Sequence, residues 1–227
     1  MKKTICFFIL ICFFNIGKSQ IKTDYFQGNT FYCTPKDDKI IELFQLGMKS
    51  LQFEKFHGAA MNIFTDLIKN DTVFCDAYFM TGYMLDLFKE DTLAFAFLNV
   101  ADSLAQNKSI EFKLTAAMNS MKIGRPDIAK RKYEETKEFF PDSPEGYYGT
   151  ALISPFYGEF EYGLENINTA INKYKRNGKD ALFLKAVILT NLKRYEEAEG
   201  LFEDVKSTYK KDENFKIHYS FNFIKII

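Results

Sequence analysis

The histidines and cysteines of this chain are the residues best suited to chemistry, and their spacing argues against catalysis. The chain has two histidines, His57 and His218, and they form no metal-spaced pair. Cys33 and Cys75 lie 42 residues apart and form no Cys-x-x-Cys motif. The G-x-S-x-G sequence of serine hydrolases is also missing. The sequence therefore predicts a non-enzymatic protein that needs no metal and no cofactor.

Acidic residues recur at intervals of 35, 34 and 35 residues, at Asp76, Glu111, Glu145 and Asp180. Carboxylates at regular intervals could form an acidic rim that recognises basic residues flanking a bound segment. Acids are also favoured in the first turn of any helix, where they interact with the helix dipole. The spacing therefore indicates either recognition of charge or stabilisation of helices.

Small residues follow the same interval and predict the elements that position these acids. The first set of small residues is Gly47, Gly82, Ala117, Ala151 and Ala186. The second set follows twelve residues later and is Ala59, Ala94, Ala129, Gly163 and Ala198. Four residues beyond each of these stands a bulky side chain, at Ile63, Leu98, Tyr133, Ile167 and Phe202. In an array of helices, small side chains mark the points where two helices approach closely.

This pattern resembles the tetratricopeptide repeat, in which each repeat is a pair of helices, A and B. Tyr195, Ala198 and Phe202 in the segment KRYEEAEGLF match helix B of that family, and Leu182 and Ala186 match helix A. The family's tryptophan is missing, because the chain has none. The resemblance covers about residues 38–212 and implies an all-α fold, an α-solenoid of about five helix pairs.

Turn-forming residues divide the array into repeats. Pro126 suits the first turn of a helix B, and Asn177 and Gly178 separate two repeats. Pro155 should end its helix by about Ser154, because proline has no N–H to donate. The expected repeats span 38–72, 73–107, 108–141, 142–177 and 178–212, and a single capping helix follows at 213–227. The sequence FNFIKII makes that helix unusually apolar for a cap.

Residues 1–19 have the layout of a secretory signal peptide. Two lysines precede an apolar run at residues 5–16, and Ser19 stands directly before a cleavage position at Gln20. The run is shorter than the roughly 20 residues that span a bilayer. We therefore expect export to the periplasm or the medium, cleavage near Ser19/Gln20 and a mature chain without a transmembrane span. Residues 20–37 then form a segment ahead of the first repeat.

The charge balance of the mature chain argues against nucleic acid as a partner. Removal of Lys2, Lys3 and Lys18 leaves 27 basic residues against 30 acidic ones. Binding to nucleic acid needs a basic surface that displaces counterions from the phosphates. A slightly acidic chain does not provide such a surface.

Each helix A carries a predominantly apolar stripe at the positions that face the concave side of tetratricopeptide arrays. These positions lie three before, one after and four after the first small residue. They are Phe44, Met48 and Leu51; Phe79, Tyr83 and Asp86; Leu114, Met118 and Met121; Tyr148, Leu152 and Pro155; and Phe183, Val187 and Thr190. Family members that bind a terminal carboxylate carry Lys, Arg and Asn on this stripe, and none occurs here. The carboxylate-clamp function therefore does not transfer.

Three explanations of the apolar stripe stay open. It binds an apolar segment of a protein partner, or it is filled by residues 21–34 or 214–227 of the chain itself, or the register has slipped and the stripe is core. The leading hypothesis is an exported adaptor that binds an apolar protein or peptide segment in a concave groove. The alternatives are a binding protein for an apolar small molecule or lipid, and a self-covered subunit of an envelope assembly.

Cys33 and Cys75 are the cysteines that remain after removal of the signal peptide. Both lie near the start of a helix A, and those starts share one edge of an array, so a disulfide is geometrically feasible in an exported protein. Two unpaired thiols packed as small apolar groups are the alternative.

Overall fold

The computed structural model describes residues 23–26, 28–173 and 178–226, and the expected signal peptide at 1–19 lies outside them. The α-helices of the described residues are α1 (Thr23–Phe26), α2 (Asp38–Ser50), α3 (His57–Asn70), α4 (Cys75–Leu87), α5 (Asp91–Ala105), α6 (Ile110–Lys122), α7 (Pro126–Phe139), α8 (Pro144–Tyr157), α9 (Phe160–Lys173), α10 (Lys179–Asn191), α11 (Tyr195–Tyr209) and α12 (Glu213–Ile226). A 3₁₀ turn, Glu54–Phe56, lies between α2 and α3. None of these helices combines the length and the apolar composition that a membrane crossing requires.

Helices α2 to α11 form five consecutive pairs, and α12 follows them as a single helix. The expectation of an all-α array of helix pairs is confirmed. The described chain divides into two compact units, and the division falls inside α7. We call the part up to Lys132 the N-terminal unit and the part from Tyr133 the C-terminal unit.

Close approach of paired helices explains the periodic small residues. A Cβ atom added to Gly82 would lie 2.7 Å from Leu98 Cγ, and one added to Gly47 would lie 2.7 Å from Phe64 Cε1. Real Cβ atoms do not approach other atoms this closely, so a larger side chain would push the helices apart. The small residues of the later B helices are buried as predicted, at Ala94, Ala129, Gly163 and Ala198.

In the first repeat the predicted contact is wrong by one residue. Ala60 and Phe64 are fully buried, whereas Ala59 is exposed and Ile63 is half-buried. The connection to α3 contains the 3₁₀ turn, and successive residues of an α-helix point about 100° apart. A shift of one residue therefore turns a different face of α3 toward α2.

Side-chain caps set the starts of helices α2 and α6. The Asp37 carboxylate accepts the N–H of Ile40 at 3.0 Å, and the Ser109 hydroxyl accepts the N–H of Phe112 at 3.1 Å. These bonds satisfy donors that the first helical turn leaves unpaired. The Ser109 cap places Glu111 in the first turn of α6, where an acid is favoured.

A buried ion group joins α5, α6 and α7. Asp102 Oδ2 lies 2.5 Å from Lys132 Nζ, and Asp102 Oδ1 lies 3.2 Å from Lys113 Nζ. All three side chains are buried. Removing one member of such a group leaves a charge uncompensated in the interior, so the group fixes the relative positions of the three helices.

Helix α8 continues past the point at which Pro155 was expected to end it. Gly158, with φ of 70°, ends the helix after Tyr157. Pro155 has no N–H for the carbonyl of Ala151, but the Ser154 hydroxyl donates to that carbonyl at 2.9 Å. The expectation was wrong because this hydroxyl replaces the missing backbone donor.

Candidate functional site

Three aromatic side chains from successive A helices line a groove in the N-terminal unit. Phe44 on α2, Phe79 on α4 and Phe112 on α6 are fully buried. The rings of Phe79 and Phe112 stack with their centroids 4.2 Å apart. Phe44 and Phe79 belong to the predicted stripe, whereas Phe112 lies outside the stripe positions and was missed. We call these three residues the aromatic groove.

The chain's own N-terminal residues fill the aromatic groove. We call α1 together with residues 28–36 the N-terminal strap. Tyr25 of the strap is 1% exposed, and its ring centroid lies 6.5 Å from Phe44, 5.9 Å from Phe79 and 5.9 Å from Phe112. The rings meet edge to face, which is a favourable arrangement for aromatic pairs.

Phe31 and Tyr32 extend this cover along the groove. The Phe31 ring lies 5.3 Å from Phe44, and the Tyr32 ring lies 4.9 Å from Phe112. Buried aromatic side chains of this size contribute large areas of apolar contact. The strap therefore reaches from α2 to α6.

Asp76, in the first turn of α4, binds the backbone of the strap. Its buried carboxylate accepts the N–H of Tyr32 at 3.1 Å through Oδ1 and the N–H of Cys33 at 2.9 Å through Oδ2. Burial raises the pKa of Asp76 to about 6, while the hydrogen bonds from Cys33 and Tyr32 oppose that rise. The carboxylate is therefore an internal acceptor and not part of an exposed rim.

Glu111, at the start of α6, binds the side chain of the strap. The Tyr32 hydroxyl donates to Glu111 Oε2 at 2.7 Å, and the Ser109 hydroxyl donates to the same oxygen at 3.2 Å. Burial and the bond to Glu111 raise the pKa of Tyr32, so the phenol keeps its proton. The acidic-rim prediction is therefore wrong for Asp76 and Glu111, because the strap reaches both carboxylates and covers them.

A disulfide joins Cys33 of the strap to Cys75 at the start of α4, with the Cα atoms 5.6 Å apart. Of the two alternatives that the sequence left open, the structure contains the bridge. The two sulfur atoms and the Asp76 carboxylate lie close enough together to resemble a metal-binding cluster. Because both sulfur atoms are bonded to each other, the thiolates that a metal ion would need are not available in this state.

Two further hydrogen bonds hold the ends of the strap. Gln45 Nε2 donates to the carbonyl of Gly28 at 3.2 Å, and the N–H of Lys36 donates to Asp71 Oδ2 at 2.9 Å. Gly28 has φ of 72°, and a Cβ atom there would lie 3.2 Å from Gln45 Cγ. A side chain at this position would therefore be strained by both the backbone and the neighbouring residue.

The predicted groove residues of the N-terminal unit are covered in this structure. The buried members are Phe44, Met48, Phe79 and Leu114, and the half-buried members are Leu51, Tyr83, Met118 and Met121. Tyr83 contacts Phe26 of α1, with ring centroids 6.0 Å apart. The stripe of this unit is therefore not open. The chain's own strap fills the groove at Phe44 and Phe79 and contacts Tyr83.

In the C-terminal unit the stripe residues pack against neighbouring helices. Phe183 and Val187 on α10 are buried, and the Phe183 ring lies 5.7 Å from Phe215 on α12. Tyr148 is buried and Leu152 is half-buried in a cluster built from α8, α9 and α10. The C-terminal tail thus covers the stripe of α10, and the stripe of α8 belongs to the core.

The other two acids of the ladder lie at helix starts. Glu145 accepts a hydrogen bond from the hydroxyl of Ser143, which caps α8, and Asp180 is exposed in the first turn of α10. These are the positions at which the helix dipole favours acids.

Helices α10 and α11 match a known repeat family. A tetratricopeptide repeat model matches residues 180–212, which contain nearly all of these two helices. The small residues of this pair, Ala186 and Ala198, are fully buried where the family packs its helices most closely. Residues 180–212 therefore form a tetratricopeptide repeat, as the sequence analysis expected. No curated protein is significantly similar to it in sequence.

Solved tetratricopeptide structures share the fold at low sequence identity. MamA from Desulfovibrio magneticus is 14% identical with a TM-score of 0.66, over 78% of this chain and 98% of that one. YrrB, described as having an unusual peptide-binding site, is 12% identical with a TM-score of 0.63, over 80% of this chain and 91% of that one. A chain of the APC/C hetero-tetramer Cut9–Hcn1 is 14% identical with a TM-score of 0.62. The match covers 82% of this chain and 36% of that longer one.

Helix α12 takes the place of a sixth helix A. Its buried inner residues Phe215 and Asn222 stand 34 residues after Ala181 and Ile188, which are buried on the inner side of α10. The same interval places Ser220 at the position of the small residue Ala186. The repeat pattern therefore continues onto α12, which the sequence analysis treated as a cap.

The stripe also continues onto α12, and there it is exposed. Phe183, Val187 and Thr190 of α10 correspond to Ile217, Phe221 and Ile224 of α12. The α10 residues are buried, and the Thr190 hydroxyl donates to Asn222 Oδ1 of α12 at 3.0 Å. The α12 residues are 48%, 48% and 69% exposed. This outer face of α12 is the part of the stripe that solvent reaches most.

The two histidines and a cleft in the C-terminal unit bear on the alternative functions. His57 begins α3, with Nε2 3.2 Å from the carbonyl of Leu51. His218 is half-buried, and its partial burial lowers its pKa to about 4, so it is neutral at pH 7. A cleft of about 460 Å³ in the C-terminal unit is lined by Glu161, Leu164, Glu165, Asn168, Leu192 and Arg194. Four of these six lining residues are polar or charged and the cleft is open, which differs from the enclosed apolar pocket that suits a lipid.

Proposed function

We propose that the protein is an exported scaffold that binds an apolar helical segment of another protein on the outer face of α12. The observation that carries the proposal is the exposure of Ile217, Phe221 and Ile224 at positions that are buried in the preceding repeat. Tetratricopeptide arrays act as protein-interaction scaffolds, and exposed contiguous apolar faces mark interaction sites.

The packing of α12 on α10 indicates which partner fits the outer face. Phe215 of α12 contacts Phe183, and Asn222 pairs with Thr190. On the outer face Ile224 replaces Thr190, so the contact there lacks this polar pair. We therefore expect a partner helix with apolar side chains at helical spacing and no buried polar group opposite Ile224.

The same reasoning modifies the hypothesis of a partner in the concave groove. The strap already covers Phe44, Phe79 and Phe112, and α12 covers Phe183. A partner that binds without displacing part of the chain meets the outer face of α12. A self-covered subunit of an envelope assembly would use the same face, and the identity of the bound protein distinguishes an adaptor from such a subunit.

Export is part of the proposal and rests on the sequence of residues 1–19. The lysines at the start, the apolar run and Ser19 support secretion. Mass measurement of protein recovered from the cell envelope should give an amino terminus at or near Gln20. Soluble protein that retains Met1 would contradict export.

Two phenylalanines of α12 provide a matched test of the binding face. Phe221 and Phe223 are each 48% exposed but lie on different sides of the helix. A photo-crosslinking residue at position 221 should capture a partner through a segment that maps to an amphipathic helix. With that partner purified, Phe221→Glu should weaken binding about tenfold or more, and Phe223→Glu should change it much less.

Thermal unfolding of both variants provides the control for folding, since neither side chain is buried. Equal loss of affinity in the two variants would show that the outer face is not selective. Unchanged affinity in Phe221→Glu would refute the proposed site.

A further inference from the structure

The strap contacts helices α2, α4 and α6 as a bound peptide would. Tyr25, Phe31 and Tyr32 insert aromatic rings against the groove, and two consecutive backbone N–H groups bind one carboxylate of Asp76. Recognition of a peptide segment commonly combines backbone hydrogen bonds with pockets for side chains. The groove therefore has the contacts that such recognition requires.

The strap also depends on these contacts for its order. Its helix α1 has four residues, and helices this short are not stable alone in water. The bonds that hold it are distant in sequence, as between Tyr32 and Glu111, which are 79 residues apart. The strap thus packs as a distinct segment against helices α2 to α6. Besides its chain connection to α2, the Cys33–Cys75 disulfide cross-links it to α4.

We propose that the aromatic groove is a binding site for a tyrosine-containing segment of another protein that bends as the strap does at residues 32 and 33. The strap occupies this site as an internal competitor, and the Cys33–Cys75 disulfide keeps the strap in place. The site lies in the N-terminal unit and is independent of the outer face of α12. Failure of one proposal therefore leaves the other standing.

The contacts of the strap define the ligand. The groove formed by Phe44, Phe79 and Phe112 takes aromatic rings, and Asp76 takes the N–H groups of two consecutive residues. Glu111 accepts a phenolic hydroxyl beside these N–H groups. A tyrosine at the position of Tyr32 provides this hydroxyl, whereas a phenylalanine would leave the buried Glu111 without this donor.

Reduction by a dithiol breaks the Cys33–Cys75 disulfide. One thiolate of the dithiol attacks the Sγ of Cys33, the less buried of the two cysteine residues. The disulfide bond breaks, and Cys75 leaves and takes up a proton. The second thiol of the reductant then displaces Cys33, so the dithiol is oxidised to a disulfide and both cysteines become thiols. Cys75 Sγ lies 3.5 Å from Asp76 Oδ2, and the carboxylate disfavours a thiolate there.

Reduction alone leaves the strap attached through the chain at an effective concentration on the order of millimolar, so a free peptide competes poorly with it. We therefore place a protease site between Lys36 and Asp37, two exposed residues that follow the contacts of the strap with Asp76. After cleavage the disulfide is the remaining covalent link. The probe is a fluorescent peptide that copies residues 23–34 and carries Cys33→Ser.

The cleaved protein should bind no probe while oxidised and should exchange its strap for the probe once dithiothreitol is added. Tyr32→Ala in the probe should weaken binding at least about tenfold, because it loses the ring contact with Phe112 and the bond to Glu111. Thr30→Ala, at an exposed position of the strap, is the matched control and should leave the affinity unchanged.

Circular dichroism of the reduced, cleaved protein separates a binding site from a core. A retained helical signal with no probe binding would overturn the proposal, because the groove would then not recognise the segment in trans. Loss of the helical signal when the strap leaves would also overturn it, because the strap would then be an obligate part of the folded unit.

Discussion

The N–H of Cys33 donates a hydrogen bond of 2.9 Å to Asp76 Oδ2, and this bond joins the strap to a carboxylate 43 residues further along the chain. The N–H of Tyr32 binds the other carboxylate oxygen. These bonds lie beside the disulfide, because Cys33 carries both the donor and the bridging sulfur. The strap is thus fixed at one point by a covalent bond and by charge-assisted hydrogen bonds.

The buried Asp76 should make the N-terminal unit more stable at acidic pH. Its pKa is raised from 3.8 to about 6, so the folded state binds the proton more tightly than the unfolded state. The stabilisation is fully present below 3.8 and is lost as the pH rises through about 6. From this carboxyl we expect a fall of up to about 3 kcal/mol in the free energy of unfolding between pH 4 and pH 7.

Comparison of the wild type with Asp76→Asn, by urea unfolding at several pH values, isolates this contribution. The amide does not titrate, so the variant should lack the Asp76 part of the pH dependence. Asp66→Asn, which alters an exposed pair with Lys69, should keep the wild-type slope. An unchanged slope in Asp76→Asn would contradict the prediction.

The half-buried His218 should give the C-terminal unit the opposite pH dependence, with lower stability at acidic pH. Burial lowers its pKa from 6.5 to about 4, so the folded state resists protonation. The stabilisation is present above 6.5 and is lost as the pH falls through about 4. Hydrogen exchange of α12, corrected for intrinsic rates, should show its protection falling by up to about 3 kcal/mol over this range.

His218→Leu removes the titrating group and should flatten the pH dependence of α12 protection. His57→Leu, at the start of α3, is the control and should leave it as in the wild type. If α12 of His218→Leu still loosens below pH 6 as the wild type does, another group is responsible.

The register of the first helix pair can be tested with adjacent alanines. Ala60 is fully buried against α2, whereas Ala59 is exposed. Ala60→Leu should overpack the pair and lower the free energy of unfolding by about 1–3 kcal/mol. Ala59→Leu should stay within about 0.5 kcal/mol of the wild type. Chemical denaturation of both variants measures these changes. A larger loss of stability in Ala59→Leu than in Ala60→Leu would show that Ala59 makes the contact with α2.

The ion group at Asp102 should be far more sensitive than an ion pair at the surface. Asp102→Ala leaves Lys113 and Lys132 without their shared carboxylate in the interior and should cost about 3–5 kcal/mol. Asp127→Ala breaks an exposed pair with Arg125 and should change stability little, because solvent screens the pair. Equal effects on thermal unfolding would show that the Asp102 group is not held in the interior as described.

The helix pairs could be predicted because their contacts are local. Gly82 and Leu98 lie 16 residues apart, and each repeat packs mainly on its neighbours in sequence. A small residue followed at a fixed distance by a bulky one therefore records the contact directly. The one-residue error at Ala59 arose because the spacing says nothing about the 3₁₀ turn that rotates α3.

The stripe shows the limit of the same reasoning. Phe183 and Phe221 occupy equivalent positions of their A helices, yet one is buried beneath α12 and the other is half exposed. The repeat pattern assigns both to one face. What covers that face depends on whether another helix follows, and periodicity does not encode this.

The sequence by itself determined the repeated helix pairs, the small-residue contacts and the apolar stripe, because each arises from residues fewer than about 40 positions apart within repeating units. The tertiary structure alone decided the occupant of the aromatic groove. Asp76 and Asp180 stand at the same place in their repeats, but the strap reaches only Asp76 among these two. The strap occupies the groove because it folds back onto helices as far as 79 residues away in sequence. No local pattern of residue types specifies a contact over that distance.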